Sequence, residues 1–132
     1  MPETKTGACL CGAISYRVTG PVGPVYFCHC SQCRRQTGHY LASAAVAATD
    51  VTISGEENLV WFASSETGRR GFCRSCGSTL FWKEEGGSSV DIAAGSFDQP
   101  SGLTPGVHIY VADKGDYYEI GDGLSQYPQS SA

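Results

Sequence analysis

Cysteine spacing constrains this chain more than any other feature of its sequence. Seven cysteines fall into three short clusters, which are Cys9 and Cys11, then Cys28, Cys30 and Cys33, then Cys73 and Cys76. Spacings of this kind let neighbouring sulfurs point at one metal ion. The count is odd, and the first residues (MPETKTG) carry no hydrophobic secretion signal, so a disulfide framework is the weaker explanation. Zinc binding by thiolates is therefore the leading hypothesis.

Length and charge narrow the class of protein. The chain has 132 residues and no change in composition along it, which predicts a single domain over residues 1–132. We expect an ordered core at about residues 5–125, followed by a loose tail. A net charge of -4 without a basic run argues against nucleic acid or an anionic membrane as the main partner. No apolar stretch approaches the roughly 20 residues that span a bilayer, so we expect a cytoplasmic protein of undetermined oligomeric state.

Dense turn residues favour a mainly β fold of short strands. The chain contains 17 glycines and 6 prolines, and β-branched or aromatic runs lie between them. Roughly seven strands are predicted. Six lie near residues 14–18, 51–53, 59–62, 79–82, 90–93 and 107–111, and the alanine-rich segment 40–48 is interpreted as a seventh despite its helical propensity. Residues 31–37 are expected to form one helical turn.

Aromatic and histidine side chains are first interpreted as structural. Phe72, Phe81, Trp82 and Phe97 are expected in the core, although one of them could line a pocket. His39 and His108 have no neighbour at metal-ligand spacing, so they are interpreted as ordinary polar or half-buried side chains.

The pair Cys73 and Cys76, followed by Gly77, is typical of a zinc knuckle. A tetrahedral structural zinc needs two further ligands, which Cys9 and Cys11 could supply from a distant strand. Such a four-cysteine zinc would contribute on the order of 10 kcal/mol to folding.

The cluster of Cys28, Cys30 and Cys33 holds the remaining three thiols. Three protein ligands leave one zinc position open, as in catalytic sites. Three thiolates outweigh the charge of the ion, which favours a thiol ligand over an activated water. Arg34 and Arg35 could offset the negative charge or bind a ligand carboxylate. The alternative is a closed site completed by His29 or another side chain.

Three sequence segments together resemble the glutathione-dependent formaldehyde-activating enzyme family, which shares its domain with centromere protein V. They are GACLCGA around Cys9, CHCSQCR around Cys30 and FCRSCG around Cys73, and softer matches continue through AGSFD at 94–98 and HIY at 108–110. The resemblance covers nearly the whole chain. It implies a β-tent fold stapled by zinc, in which Cys9, Cys11, Cys73 and Cys76 hold a structural zinc and Cys28, Cys30 and Cys33 a catalytic one.

The same resemblance implies two zinc ions per chain, glutathione as co-substrate and carbon–sulfur lyase chemistry. In that chemistry a zinc-held glutathione thiolate attacks formaldehyde or another small aldehyde. The candidate substrate contacts are Arg34 and Phe97. The segment KGDYY at 114–118 replaces the lysine-then-tryptophan pattern of the family, so the pocket could accept another thiol or electrophile. The alternatives are a non-catalytic binding module with two structural zincs and a redox or metal sensor.

Overall fold

The computed structural model describes residues 4–131, so the first three residues of the segment interpreted as lacking a secretion signal lie outside the described part. Over this range the chain forms ten strands, one α-helix and four single-turn 3-10 helices. The main elements are β1 Thr4–Ala8, β2 Ser15–Thr19, β3 Val25–Cys28, α1 Ser31–Thr37, β4 Leu41–Ala47, β5 Val51–Ser54, β6 Leu59–Ala63, β7 Gly68–Cys73, β8 Thr79–Glu84, β9 Ser89–Ala93 and β10 Pro105–Ile109. At seven residues, α1 is far too short to cross a bilayer, and no other described helix is long enough.

The strands form two sheets. The smaller has the order β1-β2-β5 and the larger the order β10-β3-β4-β9-β8-β7-β6. Every neighbouring pair is antiparallel except β10 and β3, which are parallel. The predicted mainly β fold of short antiparallel strands is therefore confirmed.

The alanine-rich segment is a strand, as predicted, because its residues alternate between two environments. In β4, Ala44 and Val46 are buried in the core, while Leu41, Ser43 and Ala45 face a cavity on the other side of the large sheet. This two-residue period overrides the helical propensity of alanine. The sequence did not predict β1, β3 and β7. Their runs of β-branched or aromatic residues are short, and in β7 glycines and arginines interrupt them.

The core lies between the two sheets. Tyr16 of the small sheet is 3% exposed, and its ring meets Phe81 and Phe97 edge-to-face with centroids 5.6 and 5.5 Å apart. The core predictions for Phe81 and Phe97 are therefore right. Phe72 and Trp82 are only half-buried, and Trp82 lines the cavity on the opposite face of the large sheet.

The end of the chain is not the loose tail that the sequence suggested. Backbone N–H groups of Tyr110 and Val111 donate to the carbonyls of Gln129 and Tyr127, and the N–H of Tyr127 donates to the carbonyl of His108. The tail therefore runs beside β10 and the turn that follows it. Residue 132 lies outside the described range.

Candidate metal centres and the adjoining cavity

The first cysteine cluster joins the two sheets. Cys9 and Cys11 lie on the turn between β1 and β2, Cys73 ends β7, and Cys76 lies on the turn that leads to β8. The four sulfurs lie within 4.8 Å of one another. Two of the separations are 3.7 Å, from Cys9 to Cys11, and 3.8 Å, from Cys11 to Cys73. Sulfurs bound about 2.3 Å from a tetrahedral zinc lie about 3.8 Å apart, so the arrangement fits this ion.

Polar hydrogens point at the sulfurs of this cluster. The N–H groups of Ile14 and Ser75 donate to Cys9 Sγ and Cys73 Sγ, each at 3.3 Å. The hydroxyl of Ser78 lies 3.2 Å from Cys76 Sγ, and hydrogen bonds from this serine lower the pKa of the Cys76 thiol to about 5. Zinc binds cysteine as the thiolate, so the hydrogen bonds to Cys9, Cys73 and Cys76 favour the form that a cation would bind.

The second cluster is built where β3 passes into α1. Cys28 ends the strand, Cys30 is the N-cap of the helix and Cys33 lies in its first turn. Cys30 Sγ accepts a hydrogen bond from the N–H of Cys33 at 3.3 Å, so one sulfur both caps the helix and belongs to the cluster. Hydrogen bonds with Cys28 and Cys33 lower the pKa of Cys30, while the pKa values of those two thiols are raised. The three sulfurs lie within 4.8 Å of one another, which fits a metal ion that keeps a further position open.

Arg70 of β7 is the functional residue that the sequence did not reveal. It is 5% exposed, and its two terminal nitrogens lie 3.6 and 3.5 Å from Cys33 Sγ. They also donate to the side-chain oxygens of Gln36 at 2.8 Å and Gln32 at 3.2 Å. The charge that meets the second cluster thus comes from a distant strand, whereas the sequence had suggested Arg34 and Arg35 of α1.

A cavity of about 760 Å³ opens beside the second cluster. All three cysteines line it, and its floor is the outer face of the large sheet. The floor side chains are those of Tyr26, Leu41, Ser43, Ala45, Asp91, Trp82 and Arg70. The structure does not bring the two predicted substrate contacts here: Arg34 is half-buried on α1 and is absent from the lining, and Phe97 lies in the core.

Behind the second cluster, on the opposite face of β3, a chain of hydrogen bonds links two histidines. His29 Nε2 lies 2.8 Å from His108 Nδ1, and His108 Nε2 lies 2.7 Å from Asp122 Oδ2. His29 Nδ1 is hydrogen-bonded to the hydroxyl of Tyr118. Burial, together with the nearby His108, lowers the pKa of His29 to about 4, so this ring is neutral at pH 7.

The donors of this chain run in one direction when both rings are neutral. The Asp122 carboxylate only accepts, so His108 donates from Nε2 and accepts at Nδ1. His29 then donates from Nε2 and accepts the Tyr118 hydroxyl at Nδ1. Both nitrogens of His29 are therefore occupied, and the structure does not support the alternative in which His29 completes the second cluster. His108 is 3% exposed, so it is more buried than the ordinary polar or half-buried side chain that was predicted, and it lies in the middle of this hydrogen-bonded chain.

Comparisons with known proteins agree with this architecture. Residues 4–113 match the sequence profile of the family described as glutathione-dependent formaldehyde-activating enzyme. A protein of Schizosaccharomyces pombe named an uncharacterized lyase is 30% identical over 129 residues, which cover 96% of this chain and 92% of the relative. A Halomonas elongata relative, provisionally named as a glutathione-dependent formaldehyde-activating enzyme, is 30% identical over 86% of this chain and 79% of its own. A crystal structure of a Rhodobacter sphaeroides protein superposes with a TM-score of 0.62 at 24% identity, over 76% of this chain and 97% of that one, and so shares the fold.

Proposed function

This chain belongs to the glutathione-dependent formaldehyde-activating enzyme family, and on that premise we propose that it is a zinc-dependent carbon–sulfur lyase-type enzyme. Its substrates are glutathione or a similar thiol and formaldehyde or another small aldehyde. The observation that carries the proposal is the cluster of Cys28, Cys30 and Cys33, whose three sulfurs converge at the wall of a cavity large enough for a small peptide.

The two cysteine clusters have different roles in this proposal. Four sulfurs of Cys9, Cys11, Cys73 and Cys76 complete a closed structural zinc site that joins the sheets. The three sulfurs of the second cluster hold a catalytic zinc. A zinc ion held by these sulfurs would favour the thiolate form of a substrate thiol at neutral pH.

Arg70 makes a fourth thiolate tolerable at the second cluster. Three thiolates and a divalent ion sum to a charge of about −1, and a substrate thiolate adds another negative charge. The guanidinium at 3.5 Å from Cys33 Sγ is buried, so its positive charge is little screened by water. Arg70 thereby offsets part of the added charge, and its hydrogen bonds to Gln32 and Gln36 hold it in place.

The reaction is balanced without an oxidant or reductant. The thiol sulfur forms a bond to the aldehyde carbon, and the carbon–oxygen π electrons move to the oxygen. The oxygen takes up one proton, which equals the one that the thiol releases on binding. Reversal of the same steps releases the thiol and the aldehyde, which is the lyase direction.

Native mass spectrometry tests the proposal directly. We expect two zincs per chain after zinc addition, and glutathione bound only when the second zinc is present. In parallel, NMR would follow formation of the S-hydroxymethyl adduct, a hemithioacetal. It should form faster with the protein than in the uncatalysed reaction of the same thiol and formaldehyde. The matched control is Cys33→Ser, which should keep one zinc and the fold but lose glutathione binding. If two zincs bind but no thiol binds to the zinc-loaded protein, and the aldehyde adduct forms at the uncatalysed rate, the protein is instead a non-catalytic binding module.

A further inference from the structure

Asp91 is an ionisable group in the cavity for which the structure gives no protein partner. It lies on β9 and its side chain lines the cavity floor, half-buried. Within residues 4–131 its carboxylate has no hydrogen bond and no ion pair, and burial raises the pKa of this carboxyl. A partly desolvated carboxylate without a partner is unfavourable unless a ligand supplies the missing donor.

The position of Asp91 separates it from the reacting centre. Cys28 of β3 is opposite Leu41 of β4, whereas Asp91 of β9 is opposite Ala45, four residues further along β4. Four residues along a strand correspond to about 13 Å, and two strand separations of about 5 Å each, from β3 to β4 and from β4 to β9, place the two backbone positions roughly 16 Å apart. The carboxyl of Asp91 is therefore too distant to protonate an aldehyde oxygen at the cysteine cluster. A tripeptide thiol of about 10 Å would span this gap, because about 4 Å between two sulfurs on one zinc and about 3 Å of the ion pair add to its length.

The charge of the cavity favours a cationic group at this position. Apart from the cysteines and tyrosines, the ionisable side chains that line the cavity are three carboxylates, of Glu84, Asp91 and Asp113, and one guanidinium, of Arg70. Both terminal nitrogens of Arg70 are occupied by Cys33 and two glutamines, although its buried Nε has no partner among the described residues. Glu84 and Asp113 are exposed to water. A ligand group beside Asp91 thus meets an unpaired negative charge at short range, where solvent screening is reduced.

We propose that Asp91 binds the ammonium group of the thiol substrate, so that this enzyme selects thiols with a free amino group remote from the sulfur. The inference rests on the proposed function, since it takes the substrate sulfur to be held at the second cysteine cluster. It adds the class of thiol, an aminothiol of about tripeptide length, and the residue that distinguishes it from a thiol whose amine is blocked.

The test compares glutathione with N-acetylglutathione, which differ in the charge of one nitrogen. Dissociation constants on the zinc-loaded full chain are measured by isothermal titration calorimetry, and kcat/KM for formaldehyde addition by NMR. The wild type should prefer the free amine by about tenfold or more, as expected for a hydrogen bond between two charged groups. Asp91→Asn should bind both thiols with the affinity of the acetylated one.

Glu84→Gln is the matched control, because it removes one negative charge from the same cavity at a water-exposed position. It should retain the preference for the free amine. Equal binding of the two thiols by the wild type, or a preference that survives in Asp91→Asn, would overturn the inference and leave thiol binding intact. Failure of the zinc-loaded wild type to bind either thiol would instead remove the proposed function, and this inference with it.

Discussion

The ring nitrogens of His29 and His108 lie 2.8 Å apart, and this contact connects the second cysteine cluster to the C-terminal part of the chain. His29 stands between Cys28 and Cys30, and His108 belongs to β10 and binds Asp122. Neither histidine ring lines the cavity. The pair therefore acts on the cluster by holding the backbone between two of its cysteines.

We expect His108→Leu to weaken zinc binding at the second cluster by about tenfold, a typical effect of residues that orient metal ligands. The substitution leaves His29 Nε2 without its partner and frees the backbone beside Cys28 and Cys30. Competition with a chromophoric chelator measures the affinity, and the zinc at the first cluster should be retained. Asp122→Asn, which still accepts a hydrogen bond from His108, should stay close to the wild type. An unchanged affinity in His108→Leu would show that the histidine chain does not position the cluster.

Arg70→Gln should reduce glutathione affinity by about tenfold or more, because no positive charge then offsets the fourth thiolate. Arg70→Lys keeps a charge but lacks the planar fork that reaches Cys33 and the two glutamines together, so an intermediate loss is expected. Calorimetric titration of the zinc-loaded variants measures the effect, and thermal melting reports on folding. Equal glutathione affinity in all three proteins would contradict the role assigned to this guanidinium.

Cys76→Ser should prevent stable folding. Zinc at a four-cysteine site contributes on the order of 10 kcal/mol, which equals the net stability of a typical domain. Insoluble or non-cooperatively melting protein is expected, and zinc content with far-UV circular dichroism would measure it. Cys33→Ser, which alters only the three-cysteine cluster, should remain folded. A soluble Cys76→Ser with a cooperative transition and two zincs would contradict the structural assignment.

Tyr16 should make the fold sensitive to alkali. Burial raises the pKa of Tyr16 to about 12 from an ordinary value of 10.0. The unfolded chain therefore loses this proton first, and the free energy of unfolding falls as the pH rises from about 10 towards 12. Tyr16→Phe loses the hydrogen bond to Ser96 and should be less stable by about 1 kcal/mol at pH 8.

Urea unfolding measures the free energy of unfolding of Tyr16→Phe and the wild type at pH 8 and at pH 11, below and above the pKa of tyrosine in the unfolded chain. The stability difference should shrink or reverse at the higher pH, because phenylalanine has no proton to lose. A constant difference would show that Tyr16 has the same pKa in the folded and unfolded chains.

Contacts between residues close together in the sequence could be predicted, whereas contacts between distant residues could not. The spacing of Cys28, Cys30 and Cys33 limits the distances between their sulfurs whatever the rest of the chain does. The contact between Arg70 and Cys33 spans 37 residues, and no spacing rule connects them. Arg69 and Arg70 are equivalent in sequence, and only the pleat of β7 decides that Arg70 meets the cluster while Arg69 pairs with Glu85.

Backbone pairing was also beyond prediction. The tail beside β10 is held by main-chain hydrogen bonds, so its side chains show no strand pattern. Phe97 shows the opposite limit, since an aromatic side chain suits a core and a ligand pocket equally well. Its position against Tyr16 follows from the packing of two sheets, which no local pattern encodes.

The single strand β7 contributes to both cysteine clusters, since Arg70 and Cys73 lie only three residues apart on it, a distance of about 10 Å. Anchoring Cys73 fixes the end of the strand that presents Arg70 to Cys33. We therefore expect zinc uptake to be ordered, with the four-cysteine site filled first. A cell short of zinc would then hold a reserve of folded, inactive protein, which recovers activity without new synthesis when the metal supply returns.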